Sequence, residues 1–301
     1  MTQALLGTTL PVDTAQPKKA ERRLRMGQEF WSNRFGDFLL LLIVMFALFP
    51  IFWMVITSFK SNQEIVNNRL FPSELRWRNY VDLWDRVNFG TSFINSIVIS
   101  TLATVVATFF STCAGYALAR FKFPGAPVFG GAVIATQLVP GILMMLPLYL
   151  TFVNIKRTTN ISIIGTPGGL IMLYVAFYIP LSLWIVRGFF AAIPTELEEA
   201  AQIDGASQFQ SFWMVALPLA RPGIVATAIY VFLTAWDELF FAQVMNVQTI
   251  PLGIRNYIGQ QANRFDYMMA ASVIVTIPVA IIFFVLQRHM ISGLTAGAVK
   301  G

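Results

Sequence analysis

Long apolar runs separated by short polar stretches fill most of the chain. A helix needs about 20 consecutive apolar residues to cross the hydrocarbon of a bilayer. Six runs reach that length, at roughly 37–59, 92–118, 127–153, 168–190, 220–245 and 269–288. In lipid every backbone polar group must find its partner inside the chain, so each run predicts a helix. The fold class that follows is all-α, a polytopic membrane protein with six transmembrane helices. Pro50, Pro140, Pro147, Pro180 and Pro278 fall inside the runs, where each removes a helix hydrogen bond and invites a kink. Residues 1–35 read as a polar tail, 36–290 as the transmembrane domain with its core from about 90, and 291–301 as a small-residue, frayed tail.

One stretch breaks the pattern. Residues 194–218 carry Glu196, Glu198, Glu199 and Asp204, with no Lys or Arg between Arg187 and Arg221. Thr195 with Glu198 three residues on has the capping-box form, and the acidic first turn suits the positive end of a helix dipole. Gly205 predicts the end of that helix, because glycine takes the left-handed C-terminal conformation without steric cost. Ser207 with Gln210 offers a second capping box, and Pro218 predicts the close of a second short helix. The stretch reads as two short helices joined at a glycine elbow, outside the bilayer. Ala200 and Ala201 let another surface approach the first helix closely. A helix lying on lipid headgroups is usually rich in Lys and Arg. The acidic face here points instead to docking on a protein partner.

Composition narrows the class. Charged residues make up 12% of the chain, about half the share of a soluble domain. The single Cys113 sits in an apolar run and builds no disulfide framework. Basic residues are scattered rather than gathered with aromatics, which argues against nucleic acid binding. They also set orientation, since Lys and Arg collect on the cytoplasmic side. The side holding the N-terminal tail, Arg120, Lys122, Arg187, Arg221, Arg288 and Lys300 carries twelve of them, against nine on the other. Both termini and the acidic elbow are therefore expected in the cytoplasm. The longest external segment, 60–91, holds Trp77, Tyr80 and Trp84 and reads as a partly helical cap at the membrane surface.

Two further places could carry chemistry. On the fifth run Thr227, Tyr230, Thr234 and Asp237 recur at helical spacing and share one face, with Glu238 next in line. Acids inside a span usually face a pathway or another subunit, although a carboxylate this close to the span end can also snorkel to the interface. Residues 246–268 form an external loop with Pro251 and Gly253, readable as a partner surface or as an ordinary turn.

Glu199-Ala200-Ala201, then Gly205, then Val215-Ala216-Leu217-Pro218 resembles the EAA loop of ABC-importer permeases, with Val215 where the family has Ile. In that family the loop is the coupling helix seated in a cleft of the ATP-hydrolysing subunit. The resemblance thus implies a type I importer transmembrane domain and a coupling set of Glu198, Glu199, Ala200, Ala201, Asp204, Gly205, Leu217 and Pro218. Thr249-Ile250-Pro251-Leu252-Gly253 and the Gly293-Leu294-Thr295-Ala296-Gly297 tail are similar to the smaller permease of maltose-type carbohydrate importers, over about residues 35–301. This implies that Pro251, Gly253, Arg255, Asn256 and Tyr257 meet an extracytoplasmic solute-binding protein, and that the tail inserts between two ATPase subunits. It also implies a second homologous permease, a carbohydrate substrate, and Tyr230, Thr234, Asp237 and Glu238 along the path. The substrate is left open between a neutral oligosaccharide and an acidic polysaccharide such as alginate.

No residue before any of the six lysines is Gly, so the phosphate-cradling Gly-Lys-Ser/Thr form is absent. No cofactor is expected in this chain, and ATP with Mg belongs to the partner ATPase. One His and one Cys give no expectation of a metal site or a hydrolytic triad. A proton-coupled transporter using Asp237 and Glu238 is the competing reading, and it leaves the acidic elbow without a purpose.

Overall fold

The structure is a computed structural model that describes residues 19–86, 89–257 and 263–298, with side chains in 34–85, 89–257 and 263–286. It divides into two units, residues 1–53 and 54–301. In the first, the described backbone is a single helix, α1, which starts at Lys19 and ends at Ser58 in the second unit. The polar stretch before residue 35 is thus helical from Lys19 on, and Lys18 and its predecessors lie outside the described residues.

The second unit begins with the segment expected to cap the surface. It holds α2 (Asn62–Val66) and α3 (Arg78–Arg86). Ser61 caps α2 in a full capping box with Glu64. Then come α4 (Phe89–Arg120), α5 (Ala126–Ala135), α6 (Gly141–Thr159), α7 (Pro167–Ala192), α8 (Glu196–Ile203), α9 (Gln208–Ser211), α10 (Leu217–Trp236), α11 (Phe240–Val244), α12 (Ile250–Asn256) and α13 (Phe265–Ala298). Among the described residues, five single helices are long and apolar enough to cross a membrane, and one bent pair makes a sixth candidate.

That pair corrects the third expected span. α5 with its 3-10 extension to Leu138 meets α6 at 97°. The cause lies at Val139-Pro140. Proline disfavours the helical region for the residue before it, and Val139 is extended at φ −86°, ψ 118°. Pro50, Pro147, Pro180 and Pro278 sit inside continuous helices. The fifth span also moves. It runs from Gln208 to Trp236, not from 220 to 245, through a π-helical segment at Phe212–Ala216. Pro218 therefore opens α10 rather than closing a helix. Proline has no N–H for the preceding turn, and the wider π turn absorbs the mismatch. The last expected tail is helical as far as Ala298.

α4 lies against α7 and α10 along a seam of small residues. Ser92, Ser96, Ser100, Ala103, Ala107, Ser111 and Gly115 are all buried on one face. Small side chains let helix backbones approach closely, which drives association where no water is present to be expelled. At Gly115 the approach is close, since a Cβ there would stand 3.0 Å from the Arg187 amide nitrogen and 3.2 Å from the Leu183 carbonyl. Leu170, Leu173, Tyr174, Val231 and Met245 fill the middle of the bundle. Leu83, Phe89, Tyr257 and Tyr267 close one end, where Tyr267 donates to Asp82 at 3.1 Å.

Two predictions follow from this packing. Gly115→Val should force α4 off α7 and cost about 1–3 kcal/mol, read as a lowered thermal midpoint of the solubilised protein. A midpoint equal to wild type would contradict the close seam. At α2, the Ser73 hydroxyl (2.5 Å) and the Ser61 and Ser73 amides (2.8 and 2.9 Å) donate to Glu64 and hold its carboxyl down at about 2. A depressed carboxyl stabilises the fold above its ordinary value of 4.5, and the gain is lost as pH falls through about 2. Pepsin cleavage within 61–76 should therefore rise steeply over that window in wild type. In Glu64→Gln it should already be high at the upper end.

Candidate functional site

The elbow sits where α7 ends and the 208–236 helix begins. α8 closes with a Schellman turn: Ala206 N donates to the Ala201 carbonyl at 2.9 Å, and Gly205 N to Gln202 at 3.1 Å. Gly205 takes φ +93°, the left-handed conformation that the turn requires. The second capping box is formed, with Ser207 N donating to Gln210 Oε1 at 2.7 Å and Gln210 N to Ser207 Oγ at 3.3 Å. The first is not. Thr195 already has helical angles and its hydroxyl accepts no cap bond.

Thr195 is helical, so its carbonyl and not its hydroxyl takes the Glu198 amide, at 3.0 Å. The Glu198 carboxylate turns into the bundle instead of back toward Thr195. Arg120 Nε donates to Oε1 at 2.6 Å and the Tyr116 hydroxyl to Oε2 at 2.7 Å. Arg120 also donates to the Ile193 carbonyl at 2.9 Å, and Ser211 Oγ to the Glu198 carbonyl at 3.2 Å. The Glu198 and Arg120 side chains are 7% and 8% exposed. Glu198 is thus removed from the outward coupling set inferred from sequence. Tyr116, Arg120 and Ser211 were missed. Arg120 entered the sequence reading only as an orienting charge, and a partner 78 residues away leaves no local signal.

The outer surface of the elbow carries Glu196, Glu199, Ala200, Gln202, Asp204 and Gly205, all exposed, while Ala201 is half-buried. Among them stand exposed apolar side chains, Leu197 at 46%, Ile203 at 85% and Phe209 at 71% exposure, the last with its ring edge-on to Trp213. Leu217 and Pro218 are half-buried in α10 and belong to the span, with Leu217 lining an apolar cleft of about 350 Å³ beside α4.

At the other end of α10 the side chains of Asp237 and Glu238 diverge. Asp237 is the exposed C-cap of the helix. Glu238 turns the other way and caps α11, accepting from the Phe241 amide at 2.9 Å, the Ala242 amide at 3.2 Å and the Tyr174 hydroxyl at 3.0 Å. Thr234, Asp237 and Glu238 meet at an open cleft of about 520 Å³ that Tyr230 does not line. Tyr230 packs on the central core, and its carbonyl accepts from Thr234 Oγ1 at 2.7 Å.

The expected external loop is partly the helix α12, docked on α4. Ile250 N donates to Ser96 Oγ and Asn95 Nδ2 to the Gln248 carbonyl, both at 2.8 Å. Gly253 is buried against Ser92, and Tyr257 is buried in the aromatic cluster with Tyr267. Neither offers a contact surface. Arg255 and Asn256 are exposed, Pro251 is half-buried, and Arg255 bonds the Gln243 side chain.

A bundle of apolar spans with an acidic, partly apolar elbow at one end defines a polytopic membrane protein. The chain belongs to the family described as binding-protein-dependent transport system inner membrane component, which it matches over residues 111–295. It is 36% identical, over 86% of its length and 95% of the relative's, to the trehalose transport system permease protein SugB of Mycobacterium tuberculosis. With the trehalose/maltose transport system permease protein MalG of Thermococcus litoralis it shares 34% identity over 87% and 94%. Its fold is similar, at TM-score 0.71 and 23% identity over 87% of this chain and 97% of the other, to a chain of a bacterial ABC transporter involved in the import of the acidic polysaccharide alginate.

These positions make one local prediction. Glu238→Ala should release the amides of Phe241 and Ala242 and loosen α11, while Asp237→Asn should leave it intact. Hydrogen exchange of residues 240–245 checks this, and equal protection in both variants would contradict the capping role.

Proposed function

We propose that this chain is the permease subunit of an ATP-driven carbohydrate importer, with α8 and α9 as its dock for an ATPase subunit. The observation that carries the reading is the exposure of Ile203 in the connection between two spans, with Phe209 exposed beside it in the first turn of the 208–236 helix. Large apolar side chains on an otherwise acidic, short connection gain nothing from water and fit a protein cleft. Glu199 supplies a polar contact there, Ala200 and Ala201 the close fit, and Gly205 the angle between the helices.

The assembly would hold two ATPase subunits that bind ATP and Mg, a second homologous permease and an extracytoplasmic solute-binding protein. Both termini and the elbow would then lie in the cytoplasm. Arg255 and Asn256 are the exposed residues of the α12 region that would meet the binding protein. The open cleft at Thr234 and Asp237 lies on the substrate route. Relatives named for trehalose, maltose and diacetylchitobiose transport support a neutral oligosaccharide. The alginate transporter is similar below 25% identity and supports the fold alone.

Ile203→Lys and Phe209→Asp should each lose ATPase subunits on co-purification, because a charge replaces a side chain that the cleft must bury. Membrane insertion should be unchanged. Gly205→Val should keep the ATPase but uncouple hydrolysis from uptake, since the elbow angle needs positive φ. Full ATPase retention in both charged variants would overturn the dock.

A further inference from the structure

Four elements meet at the buried Glu198 carboxylate. α8 supplies it, α4 supplies Arg120 and Tyr116, the end of α7 supplies the Ile193 carbonyl, and α9 supplies Ser211. The Tyr116 ring is wedged at 4.6 Å from Phe212 and 5.3 Å from Phe190, so its hydroxyl has little freedom to turn away. Both carboxylate oxygens are engaged, and the main-chain carbonyl of the same residue is held as well. An ion pair shut away from water is weak evidence of added stability, because desolvation offsets much of its attraction. Its geometry is nonetheless demanding, since either charge left alone is strongly unfavourable. Such a pair is suited to hold two elements in one fixed relation.

We infer that Glu198, Arg120 and Tyr116 form a rigid joint that makes α8 and α4 move as one body, so that displacement of the docked elbow is delivered to the α4–α7 seam. They are positioning residues and touch neither ATPase nor substrate. The inference rests on the proposed docking function for its purpose, but the rigidity itself does not depend on a partner. α4 is the natural receiver because it runs the length of the bundle against both α7 and α10. Motion at its Arg120 end therefore reaches Ser92 and Ser96, on which α12 is seated at the far end.

The test places spin labels on the native Cys113 of α4 and on Gln202→Cys of α8, in the full complex with its ATPase subunits. Distances are read without nucleotide and trapped with ATP and vanadate. In wild type a single narrow distance is expected, the same in both states. Glu198→Gln and Arg120→Ala should split it into more than one population. The exchanged pair Glu198→Arg with Arg120→Glu should narrow it again, which a loss of general packing would not do. Tyr116→Phe keeps both charges and should broaden the distance less. A wild-type distance that changes on trapping, or single variants as narrow as wild type, overturns the joint. Failure of ATPase subunits to co-purify with the wild-type chain would overturn the functional reading instead, and the nucleotide-free distances would still decide the joint.

Discussion

The structure turns on the satisfaction of one buried charge. Glu198 is buried against Tyr116, whose ring packs on Phe190 and Phe212, and an unpaired carboxylate there would be costly. Arg120 and Tyr116 answer it from α4, and in doing so they fix where the elbow stands. The same contact decides local structure. With its carboxylate committed inward, Glu198 cannot reach back to the Thr195 amide, so the carboxylate half of the capping box is given up for a tertiary contact. The next residue, Glu199, is left pointing out. Two adjacent acids with opposite destinations give the elbow an anchored side and a presented side.

Everything else in the bundle supports that division. The seam of small residues on α4 brings its backbone against α7, so the Arg120 end cannot shift without carrying the rest. The Schellman turn at Gly205 and the box at Ser207 satisfy the elbow's backbone locally. That leaves its apolar tips, Ile203 and Phe209, exposed at the surface. The π turn at Phe212–Ala216 joins the elbow directly to a span, with no flexible linker between them. Force applied to the elbow thus has two stiff routes into the bundle, one covalent through α10 and one electrostatic through α4.

Hydropathy made the spans legible because lipid permits so few backbone solutions. The elbow was legible because acids and a glycine interrupt apolar runs. What sequence hid was long-range or depended on one neighbour. Pro140 breaks a span and Pro147 does not, and the difference is the extended Val139 before the former. Asp237 and Glu238 are adjacent in sequence, yet the end of α10 sends them apart, and Glu238 is used up on α11. Gly253 and Tyr257 looked like loop residues and are core, because Ser96 and Asn95 draw that segment onto α4. Arg120 and Glu198 could be paired only by the fold.

The most direct measurement of the account is site-specific crosslinking from Ala200 or Ile203, each replaced by Cys in a Cys113→Ser background, in membranes holding the assembled transporter. The account predicts adducts with a nucleotide-hydrolysing subunit and protection of both positions from a membrane-impermeant thiol reagent added outside. Labelling from the outside, or a complete lack of such adducts in an active complex, would contradict it.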